Sequence, residues 1–473
     1  VTHAVEPRDG PDRAADAGPA ARADRRPGFG LRSRRDRGPR PQRGSRVDRS
    51  DLPAYLICFL GMIVFNMFSG YSKLLGFPIG PDRLFFFAGV VLLLLDPVAR
   101  RERRLRLRPV HVYCMALVGL TTWSGAANGT LTPTTGLYLL LDTMVVPFVM
   151  FALAPFVFST PGRRDLLVRV LVCMGIYLGL TGIFETVGPH ALVWPSYIMD
   201  PSVGIQFGRA RGPFAESEAE GLSLAICMYA SMYGFVRLPG RWRIAAAVST
   251  GACAVSVVLC LTRSVWVGSV IGVTIVSLLV PRLRRILPLF AGGVVAVLGL
   301  ALATIPTLRQ AISSRTGDQR SLWDRQNTNA AGIRIVEQKP LSGVGWANFV
   351  HVVRDWIVQG DTYPITNVDI SIHNVILSRA AELGVFGAAL TVATMLSGLF
   401  YAVLRRQEGD VETWRMILIA ALCCYFTSAM LSPLSYPLVN LMMWLMAGMV
   451  LAPYQTRPRT TAAPEQEHAL AAA

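Results

Sequence analysis

The stretch SIHNVILSRAAELGVFGAAL, Ser371–Leu390, passes from a polar segment straight into an apolar run of membrane grade. At the junction stand His373, Asn374, Arg379 and Glu382. Charges beside hydrocarbon are costly, so each needs a partner or a task. Arg379 and Glu382 lie three residues apart, share a helix face and are expected to pair. A helix drawn through the stretch turns about 100° per residue, which sets Glu382 opposite His373 and roughly 13 Å along the axis. Glu382 is therefore expected to be structural and not a catalytic partner of His373. Gly384 and Gly387 permit a bend or a close helix contact as the chain enters the bilayer.

Outward from this stretch, the chain reads as a membrane protein with polar tails. Hydrophobic residues make up 52% of it, although residues 1–50 are strongly polar. About twelve apolar segments are long enough to cross or nearly cross a bilayer. They lie near 52–70, 84–99, 109–127, 137–159, 166–188, 216–236, 244–262, 264–280, 286–305, 383–404, 416–432 and 437–454. The expected fold class is all-α, a polytopic bundle of about 12 transmembrane helices. The expected domains are an Arg-rich disordered tail at 1–50, a membrane domain at 51–455 and a second disordered tail at 456–473. Residues 1–50 have no apolar core of the kind a cleavable signal needs, so the segment from Leu52 is expected to act as an uncleaved anchor.

Charge sets the expected sidedness. The connectors RRERRLRLR, PGRRD, RLPGRWR, PRLRR and RRQEGD and the tail TRPR are basic, whereas TLTPTTG and SPLSYP carry no charge. Basic connections stay on the cytoplasmic side, so both termini are expected there. Two outer connections are longer, roughly 189–215 and 306–372. The second is the long extracytoplasmic loop between helices 9 and 10, and long loops in compact bundles tend to carry function. The net charge of +16 is nearly all arginine, with lysine only at Lys73 and Lys339. Topology explains that charge better than nucleic-acid binding does, and the basic tail is placed to touch anionic lipid. The eight cysteines lie in apolar segments without a CxxC pair and read as packing residues.

Arginine is disfavoured on outer connections, yet arginines collect on these. FGRARGPFAESEAEG carries Arg209, Arg211 and Glu216; CLTRSVWVG carries Arg263 in a very short turn; the long loop carries Arg325, Arg334 and PLSGVGWANF. Blander roles exist for each alone: snorkelling for Arg263, a solvated loop for Arg209 and Arg211, a structural ring for His373. Taken together they suit one chemistry. Guanidinium groups hold diphosphate in bidentate fashion. Diphosphate leaves readily once its charge is stabilised. An incoming alcohol needs a base near neutrality, which histidine supplies. No DxD motif or ligand-spaced cluster faces outward, and there is no Walker or dinucleotide motif, so neither metal nor cofactor is expected.

These motifs resemble the O-antigen ligase and O-antigen polymerase superfamily, bacterial membrane glycosyltransferases that use polyprenyl-diphosphate-linked glycans. His373–Asn374, nine residues, then Gly384-Val-Phe-Gly387 is similar to the family's HN-x9-GxxG re-entry motif. CLTRSVW is similar to its TGTRGVW turn, with Arg263 and Trp266 in register and Ser264 in place of a glycine. PLSGVGWANF resembles PLxGVGxGNF with Ala347 for the last glycine, and RARGPFAESEAEG resembles RxxGxF but lacks the PN that follows. The matches cover roughly residues 205–390 in family order. The resemblance implies that His373 activates the acceptor hydroxyl and that Arg263 and one of Arg209 and Arg211 hold the diphosphate. It implies substrate contacts at Asn374 as well. In the long loop the family arginine precedes an amphipathic helix, a distance Arg325 fits best; Arg334 offers R-x10-G to Gly345.

The expected activity is thus metal-independent, inverting glycan transfer at the outer face of the bacterial cytoplasmic membrane. The donor would be a polyprenyl-diphosphate-linked glycan and the acceptor a glycan, lipid or protein hydroxyl. A transporter or flippase of the same lipid-linked substrate is the rival from another class. It would place polar groups near the bilayer midplane, where the sequence offers only Asp142 and Glu185. A scaffold for such an assembly is a third reading, and it would not need His373.

Overall fold

The computed structural model describes residues 52–77, 79–97, 107–133, 135–304, 320–358 and 370–451, with isolated positions between 305 and 319. The two tails expected to be disordered, the RRERRLR run, residues 359–369 and most positions between 305 and 319 lie outside the described residues.

The chain is all-helical, and no β-strand occurs among the described residues. Helix α1 (Ala54–Phe65) runs on as a 3-10 segment to Leu75, followed by α2 (Pro81–Leu95), α3 (Pro109–Ala127), α4 (Leu137–Val157) and α5 (Pro161–Val187). Then come α6 (Ser217–Arg237), α7 (Arg241–Leu259), α8 (Arg263–Leu279), α9 (Pro281–Thr304) and α10 (Arg320–Gln338). The chain closes with α11 (Val375–Leu404), α12 (Gly409–Ala429) and α13 (Pro437–Leu451). Proline at the first turn opens α2, α3 and α5, where its missing N–H costs nothing. Each apolar segment expected from the sequence falls on one of these helices. Among the described residues, eight are long and apolar enough to cross a membrane: α1 with its extension, α3 to α7, α11 and α12. Helices α8 and α13 are apolar but shorter. Helix α10 is the amphipathic one that leads to PLSGVG.

Two helices form the centre. Every residue of α6 from Ser217 to Gly234 is buried, and so is every residue of α13 from Leu438 to Leu451. A helix buried on every side has no solvent face and must be enclosed by its neighbours. Helices α5, α7, α8 and α12 pack around α6, while α4 and α12 pack on α13 and α3 packs on α11. Small residues let the backbones close up. A Cβ added at Gly268 of α8 would come within 2.5 Å of the Cα of Cys424 on α12. All eight cysteines are free, five of them buried, as packing residues should be. Ile244, Leu289, Val295 and Leu404 stay exposed on the periphery, where acyl chains would cover them.

The ends of the bundle differ. At one end, Arg164 pairs with Asp410 at 2.6 Å and Arg237 pairs with Asp165, tying the starts of α5 and α12 to the end of α6. At the other end, the starts of α6, α8 and α11 meet the end of α12, and that is where the candidate site lies.

Candidate functional site

Asn374 starts α11. Its Oδ1 accepts hydrogen bonds from the backbone N–H groups of Ile376 and Leu377, both at 3.0 Å. This cap satisfies two otherwise orphaned donors and fixes the peptide that carries His373. His373 therefore stands before the helix, not on it, which corrects the helical construction drawn through residues 373–382. The conclusion about Glu382 stands on firmer ground: Arg379 donates to it at 3.2 Å, and both side chains are buried. The Arg379 guanidinium also lies over the Trp346 ring, 4.5 Å from its centroid.

The two glycine-bearing motifs dock on each other. Helix α11 breaks at Gly384, which adopts φ 72° and ψ −179°. The break exposes backbone groups that residues 340–345 satisfy. Val344 N–H donates to Ala381 O at 2.9 Å, Gly345 N–H to Glu382 O at 2.9 Å, and Val385 N–H to Pro340 O at 2.8 Å. A Cβ at Gly384 would lie 2.1 Å from Leu341 O, and one at Gly343 would lie 2.5 Å from Ala381 O. Trp346 then anchors the pair to the bundle. It is fully buried, donating through Nε1 to Gly136 O at 3.0 Å and through its backbone N–H to Ser124 Oγ at 3.1 Å. PLSGVGW is thus the clamp that holds the broken stretch of α11, the helix His373 precedes, in place.

The arginines divide into two groups. Arg211 is fully buried and its donors are occupied within the fold. Its Nε and backbone N–H bind the Glu185 carboxylate at 3.3 and 2.8 Å, while Nη1 and Nη2 donate to Val203 O and Ile198 O at 2.7 Å each. Arg334, half-buried, donates to Trp356 O at 2.8 Å. It lies nine residues beyond Arg325 on α10, hence on the opposite face and roughly 13 Å along the axis. Arg211 is thus committed to the fold through every part of its guanidinium, whereas Arg334 gives one donor to it. Glu185 and Asp142, the two acids of the transporter reading, are likewise committed: Glu185 to Arg211 and Asp142 to Arg83 at 2.8 Å.

Arg209, Arg263 and Arg325 each stand near the starts of α6 and α8. Ser217 and Thr262, at the starts of α6 and α8, meet hydroxyl to hydroxyl at 3.1 Å. Arg209 reaches Ser217 Oγ at 3.4 Å, and Arg263 is the exposed first residue of α8. The turn between α7 and α8 is only Cys260–Thr262, and Trp266 Nε1 pins it by donating to Val257 O at 2.9 Å. Arg325, half-buried on α10, is close enough for its charge to act on both Glu218 and His373. Helix N-termini carry partial positive charge, so α6 and α8 add to the arginine field.

His373 sits inside that field. Its Nδ1 is buried and meets no hydrogen-bond partner among the described residues. Burial, and then the Arg325 charge, push the imidazole down to about 4, opposed by a hydrogen bond to the Ser371 backbone and then by Asp324. The ring is therefore neutral at physiological pH and able to take a proton. Glu216, just before α6, is pushed up to about 7 by burial and then by the Glu218 charge. Glu218 was not among the residues singled out from the sequence. Ser264 Oγ donates to its Oε1 at 3.2 Å, and it is only 7% exposed. The signal was present in the sequence: ESEAE puts three acids at the mouth of an apolar span.

Among known proteins, residues 246–392 match the family model described as O-antigen ligase. The match takes in the α7–α8 turn, α10, the PLSGVGW clamp and the His373 segment. It supports the placement in the O-antigen ligase and polymerase superfamily that the motifs imply. No curated protein matches the chain.

Proposed function

We propose, from the O-antigen ligase domain at residues 246–392 and the site built on it, that this multi-pass membrane protein is a glycosyltransferase with His373 as its general base. The donor is a polyprenyl-diphosphate-linked glycan. Arg209, Arg263 and Arg325 hold its diphosphate at the mouth of α6 and α8. The acceptor hydroxyl donates to the unpartnered ring nitrogen of His373 and attacks the anomeric carbon from the face opposite the diphosphate. The bond from that carbon to the phosphate oxygen breaks, its electron pair leaves on the diphosphate, and the hydroxyl proton passes to His373. Attack from the opposite face inverts the sugar. Once bound, the anionic donor offsets the Arg325 charge and raises the basicity of His373 as the proton moves. Asn374 acts through the cap that orients His373.

The carrying observation is a buried histidine, its Nδ1 without a partner among the described residues, within reach of the Arg325 charge and close to converging helix N-termini. The basic connectors support a site on the outer face of the cytoplasmic membrane with both termini inside. Transport is the weaker reading, because Asp142 and Glu185 are locked in ion pairs.

The test is transfer by purified protein from a lipid-linked oligosaccharide to candidate acceptors, in the presence and absence of EDTA. Product should form equally in both, and His373→Ala should abolish it while inserting normally. Undiminished transfer by that variant would sink the catalytic assignment.

A further inference from the structure

The starts of α6 and α8 also hold a carboxyl group of the protein's own, that of Glu218. Glu218 lies in the first turn of α6, directly against the start of α8. The two helices are held there by the Ser217–Thr262 contact and by the fit of Gly221 against Val265, where an added Cβ would meet Cγ1 at 2.9 Å. The carboxylate accepts from Ser264 Oγ, in the first turn of α8, and lies within reach of the Arg325 charge. The fully buried Ser428 hydroxyl, at the end of α12, and the buried Tyr436 hydroxyl also adjoin the carboxyl group. Two helix N-termini, a hydroxyl donor and a guanidinium all favour an anion, and Glu218 supplies one.

We propose that Glu218 is a built-in competitor for the diphosphate, occupying part of its binding field when no donor is present and helping to expel the diphosphate product. The proposal rests on the transfer reading above and adds a residue that reading does not need. Three arginines that grip the donor also grip the leaving diphosphate. Such uniform binding does not speed the chemical step, and it slows release. A carboxylate carrying a single charge loses Arg325 to a more highly charged diphosphate while the donor is seated. It reclaims Arg325 as the product departs. The competition weakens donor and product alike, and it acts through Arg325.

The experiment measures binding of a soluble short-chain prenyl diphosphate to the purified full chain in detergent, by calorimetry, without any transfer step. Glu218→Gln keeps the side chain's shape and removes its charge. It should tighten binding on the order of ten-fold, the effect of one screened charge at a half-buried site. In an Arg325→Gln background the same change should gain little. Unchanged or weaker binding by folded Glu218→Gln overturns the proposal, as does a full gain that survives without Arg325. Were Glu218→Gln to unfold, Glu218→Asp decides: it draws the carboxylate back by one methylene and must tighten binding too. Absence of probe binding in every protein also overturns the idea. Failure of glycan transfer with the binding contrast intact overturns only the transfer reading.

Discussion

His373 is a base whose strength is set by its neighbours. With the ring held to about 4 by burial and then by Arg325, it is neutral above that pH and becomes charged as pH falls through it. The acid limb of kcat/KM, which reports the free enzyme, should therefore lie near pH 4 and not near 6.5. Arg325→Gln removes the second cause but leaves burial, so the limb should move part of the way up toward 6.5 in the residual activity. A limb that stays in place would remove Arg325 from the neighbourhood of the base. Arg263 offers a separate test. On the proposed topology, a turn as short as Cys260–Thr262 would keep its guanidinium at phosphate depth. A residue that grips diphosphate at two points is not replaced by lysine, whereas one that merely snorkels is. Arg263→Lys should lose on the order of 10²–10³ in rate, the usual cost of one charge-stabilising donor. Near wild-type turnover at matched membrane levels would reassign Arg263 to anchoring.

At the scale of elements, the site depends on a broken helix and the loop that mends it. Gly384 interrupts α11 at a positive φ, and residues 340–345 supply the lost hydrogen bonds. An alanine there meets both a backbone penalty of about 1–3 kcal/mol and a carbonyl oxygen at 2.1 Å. Gly384→Ala should lower the thermal midpoint of the detergent-solubilised protein. It should also cut transfer more than stability, because the clamp holds the helix that His373 precedes. Equal transfer per folded molecule would show that the clamp supports the fold alone. Gly387 is the contrasting case: it retains helical geometry, so the first glycine of the motif carries the break.

For the whole molecule, the arrangement makes a claim about sides. The starts of α6, α8 and α11 share one end of the bundle, and the Arg164–Asp410 and Arg237–Asp165 pairs share the other. If the site faces outward, a cysteine introduced at exposed Arg263 should react with a membrane-impermeant maleimide in intact spheroplasts. One introduced at exposed Arg241, at the start of α7, should react only after lysis. The reverse pattern would invert the topology and with it the access of substrate to His373.

The sequence by itself determined the helical membrane class, the places of the apolar segments and the outline of the site. These depend on local quantities: run length, charge at connectors, the spacing of HN-x9-GxxG, and the three-residue step from Arg379 to Glu382. Only the tertiary structure decided which arginines are available. Arg209 and Arg211 stand two residues apart in the same motif, yet one reaches the mouth while the other is spent on Glu185, twenty-six positions away. Arg325 and Arg334 share a helix but not a face. Glu218 gained its meaning only when Ser264 and Arg325 were brought to it from other helices. A guanidinium has five donors, and whether they serve the fold or a ligand depends on which carbonyls and carboxylates the packing places within 3 Å. That is a property of distant segments meeting, and a linear chain does not carry it in any one motif.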